Sequence, residues 1–226
     1  MRISLALALA LLACPLGCIG KQPPKADQTA PAGPQPGLLD PTQANEQAPD
    51  LYKVELDTTK GKVVIEVHRD WAPKGADRFY NLVKVGFFDQ VAFFRAIDGF
   101  MVQFGMSGNP AAQQAWNEHP LEDDPVKESN TPGMVTFAKK GIPNSRTTQV
   151  FINYGNNANL DPMGFAPFGK VVEGMDVVQS FYTGYGEGAP RGKGPNQMLM
   201  EKQGNPYLEK QFPKLDWLRK ATIVEG

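Results

Sequence analysis

Residues Phe93–Gly105 read FFRAIDGFMVQFG, a run of aromatic and aliphatic side chains that also holds one arginine, one aspartate and one glutamine. In extended backbone, side chains alternate between faces, so Met101 and Gln103 share one side of a strand while Val102 and Phe104 share the other. The Asp98-Gly99 pair marks a turn, so the segment reads as two short strands folded back on each other. Such a hairpin can bring Arg95 and Gln103 to one surface beside Phe100 and Met101. From periodicity alone, the favoured reading is that Arg95 pairs with Asp98 or another acid and that the rest of the segment is core.

Outward from this hairpin, short apolar runs continue: VAFFRAI, GMVTFA, QVFINY and FGKVV, separated by Gly, Pro, Asn and Asp. Punctuation of this kind fits a β-barrel or sandwich, because a parallel sheet needs a crossover helix between successive strands. Upstream, Val54 and Leu56, then Val63, Ile65 and Val67, alternate with polar residues around TTKG, which predicts an antiparallel hairpin. Between it and the central hairpin, Ala76, Phe79, Leu82 and Val83 lie at helical spacing, with Pro73 near the start and Gly86 as a stop. A second helix is expected from Gly174 in EGMDVVQSFY, a short one in NPYLEKQFPKLDWLRK, and a closing strand in ATIVE.

The chain has 226 residues, a formal net charge of -1 and 41% hydrophobic residues, which suits one globular domain with some additional chain. Phosphate binding needs a concentrated basic face, so this balance argues against a nucleic-acid partner. Both cysteines, Cys14 and Cys18, lie behind one arginine and an apolar run from Ile3 to Ala13. That run is shorter than the roughly 20 residues a bilayer span requires and reads as an export signal over residues 1–18. LLAC and PLGC resemble the lipobox of bacterial lipoproteins, which makes Cys18 or Cys14 the lipidation candidate and implies a product in the cell envelope, attached to a membrane through a lipid anchor only; a plain secretory signal with incidental cysteines is the alternative. Residues 19–50, rich in Pro, Gln and Ala, are expected to be a flexible linker, followed by a domain over 51–226.

Several sites for bond-breaking chemistry are missing. His68 and His119 are the only histidines, a poor metal set without cysteines in the mature domain, and no metal or other cofactor is expected. The serines lack a GxSxG elbow. LEDDP (121–125) reads as a solvated turn, and the glycines of 184–194 as a surface loop without a phosphate-binding GK[ST].

FFRAIDGFMVQFG resembles the signature of cyclophilin-type peptidyl-prolyl isomerases, usually FHR followed shortly by GFMxQGGD. PNSRTTQVFIN from Pro143 is similar to the family's PNSxxSQFFI, and LDPMGFAPFGKVVEGMDVV from Leu160 to its third motif. The resemblance spans Leu51 to about Tyr182. It implies a mainly β fold, a closed antiparallel barrel with two or three helices, acting as a monomer on Pro-containing polypeptides. It assigns Arg95 the catalytic role, and to substrate binding it assigns Phe100, Met101, Gln103, Gln149, Phe151, Leu160 and Phe165, with the backbone around Ala138 and Lys139. The departures are Phe94 for the histidine of FHR, Phe104 to Met106 for GGD, Val150 for a phenylalanine, and Asn159 where the family carries tryptophan or another aromatic. The loss of that tryptophan implies weak cyclosporin inhibition. A non-catalytic, envelope-tethered module that binds Pro-containing segments is the alternative reading.

Overall fold

The computed structural model describes residues 35–224. The expected signal at 1–18 and the first part of the linker lie outside them. The first hairpin forms as the alternation requires: β1 (Leu51–Thr58) buries Tyr52, Val54, Leu56 and Thr58, and pairs antiparallel with β2 (Gly61–His68). Next comes α1 (Pro73–Lys84). Its proline stands where a missing N–H costs nothing, and it buries Ala76, Phe79, Leu82 and Val83. Ala72 offers no side-chain cap. Instead, the carboxylate of Asp124 accepts from the amides of Lys74 and Gly75, at 3.1 and 2.9 Å. LEDDP is therefore not the solvated turn expected, since Asp124 is buried against the helix start.

Seven further strands follow. β3 (Val91–Ala92), β4 (Arg95–Ile97) and β5 (Met101–Phe104) come first, then α2 (Pro110–Asn117), β6 (Met134–Phe137), β7 (Val150–Asn153), β8 (Pro167–Glu173), α3 (Met175–Gln179), α4 (Gln197–Gln203), α5 (Asn205–Gln211) and β9 (Trp217–Val224). The nine strands form one antiparallel sheet in the order β3-β9-β1-β2-β8-β6-β7-β5-β4. Its two outermost strands, β3 and β4, are separated in the chain by only Phe93 and Phe94. The sheet must therefore curl until its ends meet on a single run of backbone, a near-barrel closed by covalent continuity. Inside, Phe168 packs on Phe79 and Phe137 at centroid distances of 5.0 and 5.1 Å, and Phe93 stacks on Phe181 at 4.1 Å.

Among the described residues there are five α-helices, against the two or three expected. The additional α2 and α4 span 8 and 7 residues, too short for a periodic apolar stripe to stand out, and are started by Asn109 and Asn196, whose side chains accept from first-turn amides. Gly105 must be glycine: its φ is +96°, and a Cβ there would lie 2.4 Å from the Thr148 carbonyl oxygen.

The linker expectation changes for residues 35–50. Asn81 on α1 donates to the Glu46 carbonyl at 2.7 Å and accepts from the Glu46 amide at 3.0 Å, while Asp77 accepts from the Ala48 amide. The Trp116 indole donates to the Leu38 carbonyl at 3.0 Å. Composition alone misled here, because this segment satisfies its backbone on polar side chains of the domain and needs few apolar residues of its own to stay in place.

A second apolar cluster explains two departures from the signature. Phe94 and Met106 are buried with Ala92 against Met200 of α4, Leu208 of α5 and Leu215. Both non-standard positions are thus contact points for the C-terminal helices.

Candidate active site

The central hairpin forms in the register that places Arg95 opposite Gln103 and Ile97 opposite Met101. β7 continues the row, with Phe151 opposite Gln103. Arg95, Gln103 and Phe151 are therefore successive members of one cross-strand row, held by three strands rather than by loops. They face a groove of about 610 Å³. Every residue expected at the site lines it: Arg95, Phe100, Met101, Gln103, Ala138, Lys139, Gln149, Phe151, Leu160 and Phe165.

The groove has an apolar and a polar half. Met101, Phe151 and Leu160 are buried in a small cluster of their own, with Ile97, Phe100, Ala138 and Phe165 packed around them. Phe165 meets Phe151 edge-on at 6.0 Å. The 3-10 turn bearing Leu160 (Ala158–Met163) is fixed by Asp161, which accepts from the amide and side chain of Asn130 and from the Ser129 hydroxyl. Asn159, at the position of the family aromatic, is exposed and lines no part of the groove.

In the polar half, Arg95 Nη1 donates to Gln103 Oε1 at 3.0 Å, and Gln103 Nε2 donates to Gln149 Oε1 at 2.6 Å. Gln149 Nε2 in turn donates to Gln197 Oε1 at 3.2 Å. The guanidinium carbon sits 5.8 Å from the centre of the Phe100 ring, within cation–π range. Ala138 donates its amide to the Gln149 carbonyl at 2.9 Å, so its carbonyl is the group left to offer a peptide. The Lys139 side chain also takes part, with Nζ 5.7 Å from the Phe165 ring centre and 3.3 Å from Asp123.

The sequence reading passed over the wall built by the C-terminal segment, which contributes Glu187, Arg191, Gln197 and Glu201. Glu187 binds Arg95 through both carboxylate oxygens: Nε donates to Oε1 at 2.8 Å and Nη2 to Oε2 at 2.7 Å. Those hydrogen bonds hold its carboxyl below the usual glutamate range, against the opposing effect of partial burial. The only available hint was that the chain runs on well past the third motif.

The two histidines take no part in this site. His68 bonds to Glu66 at 3.0 Å and stacks on Trp71, and His119 Nδ1 lies 2.9 Å from the Ala115 carbonyl. What the groove offers is an apolar cup with aimed N–H donors beside it. Such a site favours one conformation of a bound group over another and needs no covalent step.

Known structures share this architecture. A cyclophilin-type isomerase of Cryptosporidium parvum superposes with a TM-score of 0.57, covering 78% of this chain and 99% of its own at 19% identity. The cyclophilin AquaCyp293 of Hirschia baltica gives 0.57 over 78% of this chain and 75% of its own, at 20% identity. In sequence, peptidyl-prolyl cis-trans isomerase cyp18 of Streptomyces antibioticus is 36% identical over 152 residues, 63% of this chain and 89% of the relative. Peptidyl-prolyl cis-trans isomerase B of Escherichia coli K12 is 33% identical over 133 residues, 55% and 80% of the two chains. Residues 53–199 match the family described as cyclophilin type peptidyl-prolyl cis-trans isomerase/CLD. The chain belongs to the cyclophilin-type peptidyl-prolyl cis-trans isomerases, and its activity is the interconversion of cis and trans prolyl bonds.

Proposed function

We propose that Arg95 supplies the catalysis, on Xaa-Pro bonds whose proline ring sits in the cup of Phe100, Met101, Phe151, Leu160 and Phe165. Partial double-bond character makes a peptide bond resist rotation by roughly 18–20 kcal/mol, and an Xaa-Pro bond left alone takes tens to hundreds of seconds to interconvert. As the amide twists, its nitrogen loses conjugation and becomes a hydrogen-bond acceptor. A guanidinium donating to that nitrogen, and to the neighbouring carbonyl, stabilises the twisted state more than either planar one. The cup holds the ring and excludes competing water. The observation that carries this reading is the cross-strand row that holds an arginine beside an apolar pocket. Gln103, occupied by Arg95 and Gln149, positions the arginine and has one N–H left for the peptide. Exposed Asn159 in place of an aromatic supports weak cyclosporin inhibition.

Phe151→Ala removes the floor of the cup. Exchange NMR on a short Xaa-Pro peptide should show kcat/KM reduced about 10- to 100-fold through KM, as expected for losing one buried aromatic contact. An unchanged KM would place the ring elsewhere.

The signal-like run and the cysteines support a wider reading, in which the domain is lipid-anchored in the cell envelope and assists folding of exported proteins. Cys18→Ser should abolish labelling by radioactive palmitate and move the protein to the soluble fraction. If Cys18→Ser and Cys14→Ser both leave it membrane-bound, the anchor is not a lipidated cysteine.

A further inference from the structure

The feature that the isomerase mechanism does not absorb is the carboxylate clamped on its arginine. A guanidinium has five N–H bonds. Glu187 accepts two, from Nε and Nη2, and Gln103 accepts one from Nη1. Two N–H bonds, one on each terminal nitrogen, are left without an oxygen acceptor. The Met101 sulfur, 3.8 Å from Nη1, is a weak acceptor at most. Glu187 therefore engages the edge of the guanidinium while leaving as many donors as the twisted amide needs, one for its nitrogen and one for a carbonyl.

The Gly-rich segment is built to present this side chain. Gly186 pairs with Ala96 as an isolated antiparallel bridge, so the segment extends the sheet beyond its outer strand β4, next to Arg95. The Glu187 carbonyl accepts from the Gly194 amide at 2.8 Å, and its Oε1 accepts from the Gly188 amide at 2.9 Å. The chain then folds back so closely that a Cβ on Gly192 would lie 2.2 Å from the Glu187 carbonyl oxygen. The base is anchored by the Tyr182 amide donating to Asp216 at 2.8 Å and by Tyr185 packed edge-on against Phe212. The glycines of 184–194, expected as a plain surface loop, form a scaffold around one carboxylate.

We propose that Glu187 is a positioning residue for isomerisation: it holds the Arg95 guanidinium in the single orientation that points its two remaining N–H bonds into the groove. This rests on the role proposed for Arg95. A bidentate pair fixes both the plane and the rotation of the guanidinium, which a single hydrogen bond to Gln103 does not. The ordering is then present before substrate arrives, so its loss reduces kcat rather than affinity. The charged groups facing Glu187 are Arg95 and Arg191. With its carboxyl held below the usual value of about 4.3, the pair stays intact from neutral pH down through that value and is lost only in stronger acid.

The test compares Glu187→Ala, Glu187→Gln and Arg95→Ala in the full chain, by exchange NMR on an Xaa-Pro peptide, with Arg Nε–H resonances recorded in parallel. The expected result is kcat lowered about 10-fold in Glu187→Ala with KM unchanged, a smaller loss in Glu187→Gln, which can still accept one hydrogen bond, and an Arg95 Nε–H signal that loses its slow solvent exchange. The Glu187 side chain is 30% exposed, so the variants should melt with the wild type. A Glu187→Ala kcat equal to or above wild type, with Arg95→Ala inactive, overturns positioning and leaves the role of Arg95 standing. An active Arg95→Ala overturns both, because an arginine that does no catalysis needs no positioning.

Discussion

Arg95→Ala lowers kcat/KM on an Xaa-Pro peptide by about 100-fold or more, the loss expected when a preorganised donor to a transition state is removed. In energy, that is about 2.7–4 kcal/mol of barrier. The fold is retained, because the arginine side chain lies at the groove rim, 19% exposed, and the row behind it is held by backbone pairing among β4, β5 and β7. Glu187 then loses its partner but remains open to water. Arg95→Lys should recover little. A lysine carries the charge but donates from one point, and cannot hold Gln103, Glu187 and a twisted amide together as a planar fork does. The check is a protease-coupled or exchange-NMR assay beside a circular dichroism melt; near wild-type turnover in a folded Arg95→Ala protein would remove the arginine from the mechanism.

The largest stability effect is expected at Arg146, which is 1% exposed. Its Nη1 donates to Asp124 at 3.0 Å, its Nε lies 3.5 Å from Asp123, and Nη2 donates to the Glu122 carbonyl. Asp124 is simultaneously the acceptor for the first amides of α1. Arg146→Ala leaves that carboxylate buried without its cation, which costs about 3–5 kcal/mol in urea denaturation. Arg146→Met with Asp124→Asn should cost less than the single change, since the asparagine oxygen can still accept at the helix start with no charge to compensate. A double variant less stable than Arg146→Ala would show that packing, rather than charge, dominates at this position.

Legibility in the sequence followed the range of the interaction. β1 and β2 could be read from a period of two and α1 from Pro73, four apolar positions and Gly86, because local backbone geometry decides all three. The meeting of Arg95 and Gln103 was within reach as well, since one turn separates them. Glu187 stands 92 positions from Arg95, and no periodicity connects a lone glutamate among glycines to a distant arginine. The burial of Asp124 was hidden for the same reason, its partners lying 22 and about 50 residues away. Phe94 and Met106 were visible as departures from the family pattern, but their cause lay in α4 and α5, outside the three motifs.

The position of β9 has a consequence for how the protein is made. It is the last of the nine strands in chain order, yet it lies between β3 and β1, one place from the end of the sheet. Until the ribosome has delivered Trp217–Val224, the first hairpin has a bare outer edge and the Phe93–Phe94 seam has nothing to close against. A chain emerging from its N-terminus therefore leaves the β1 edge without its β9 partner until the last strand has been made.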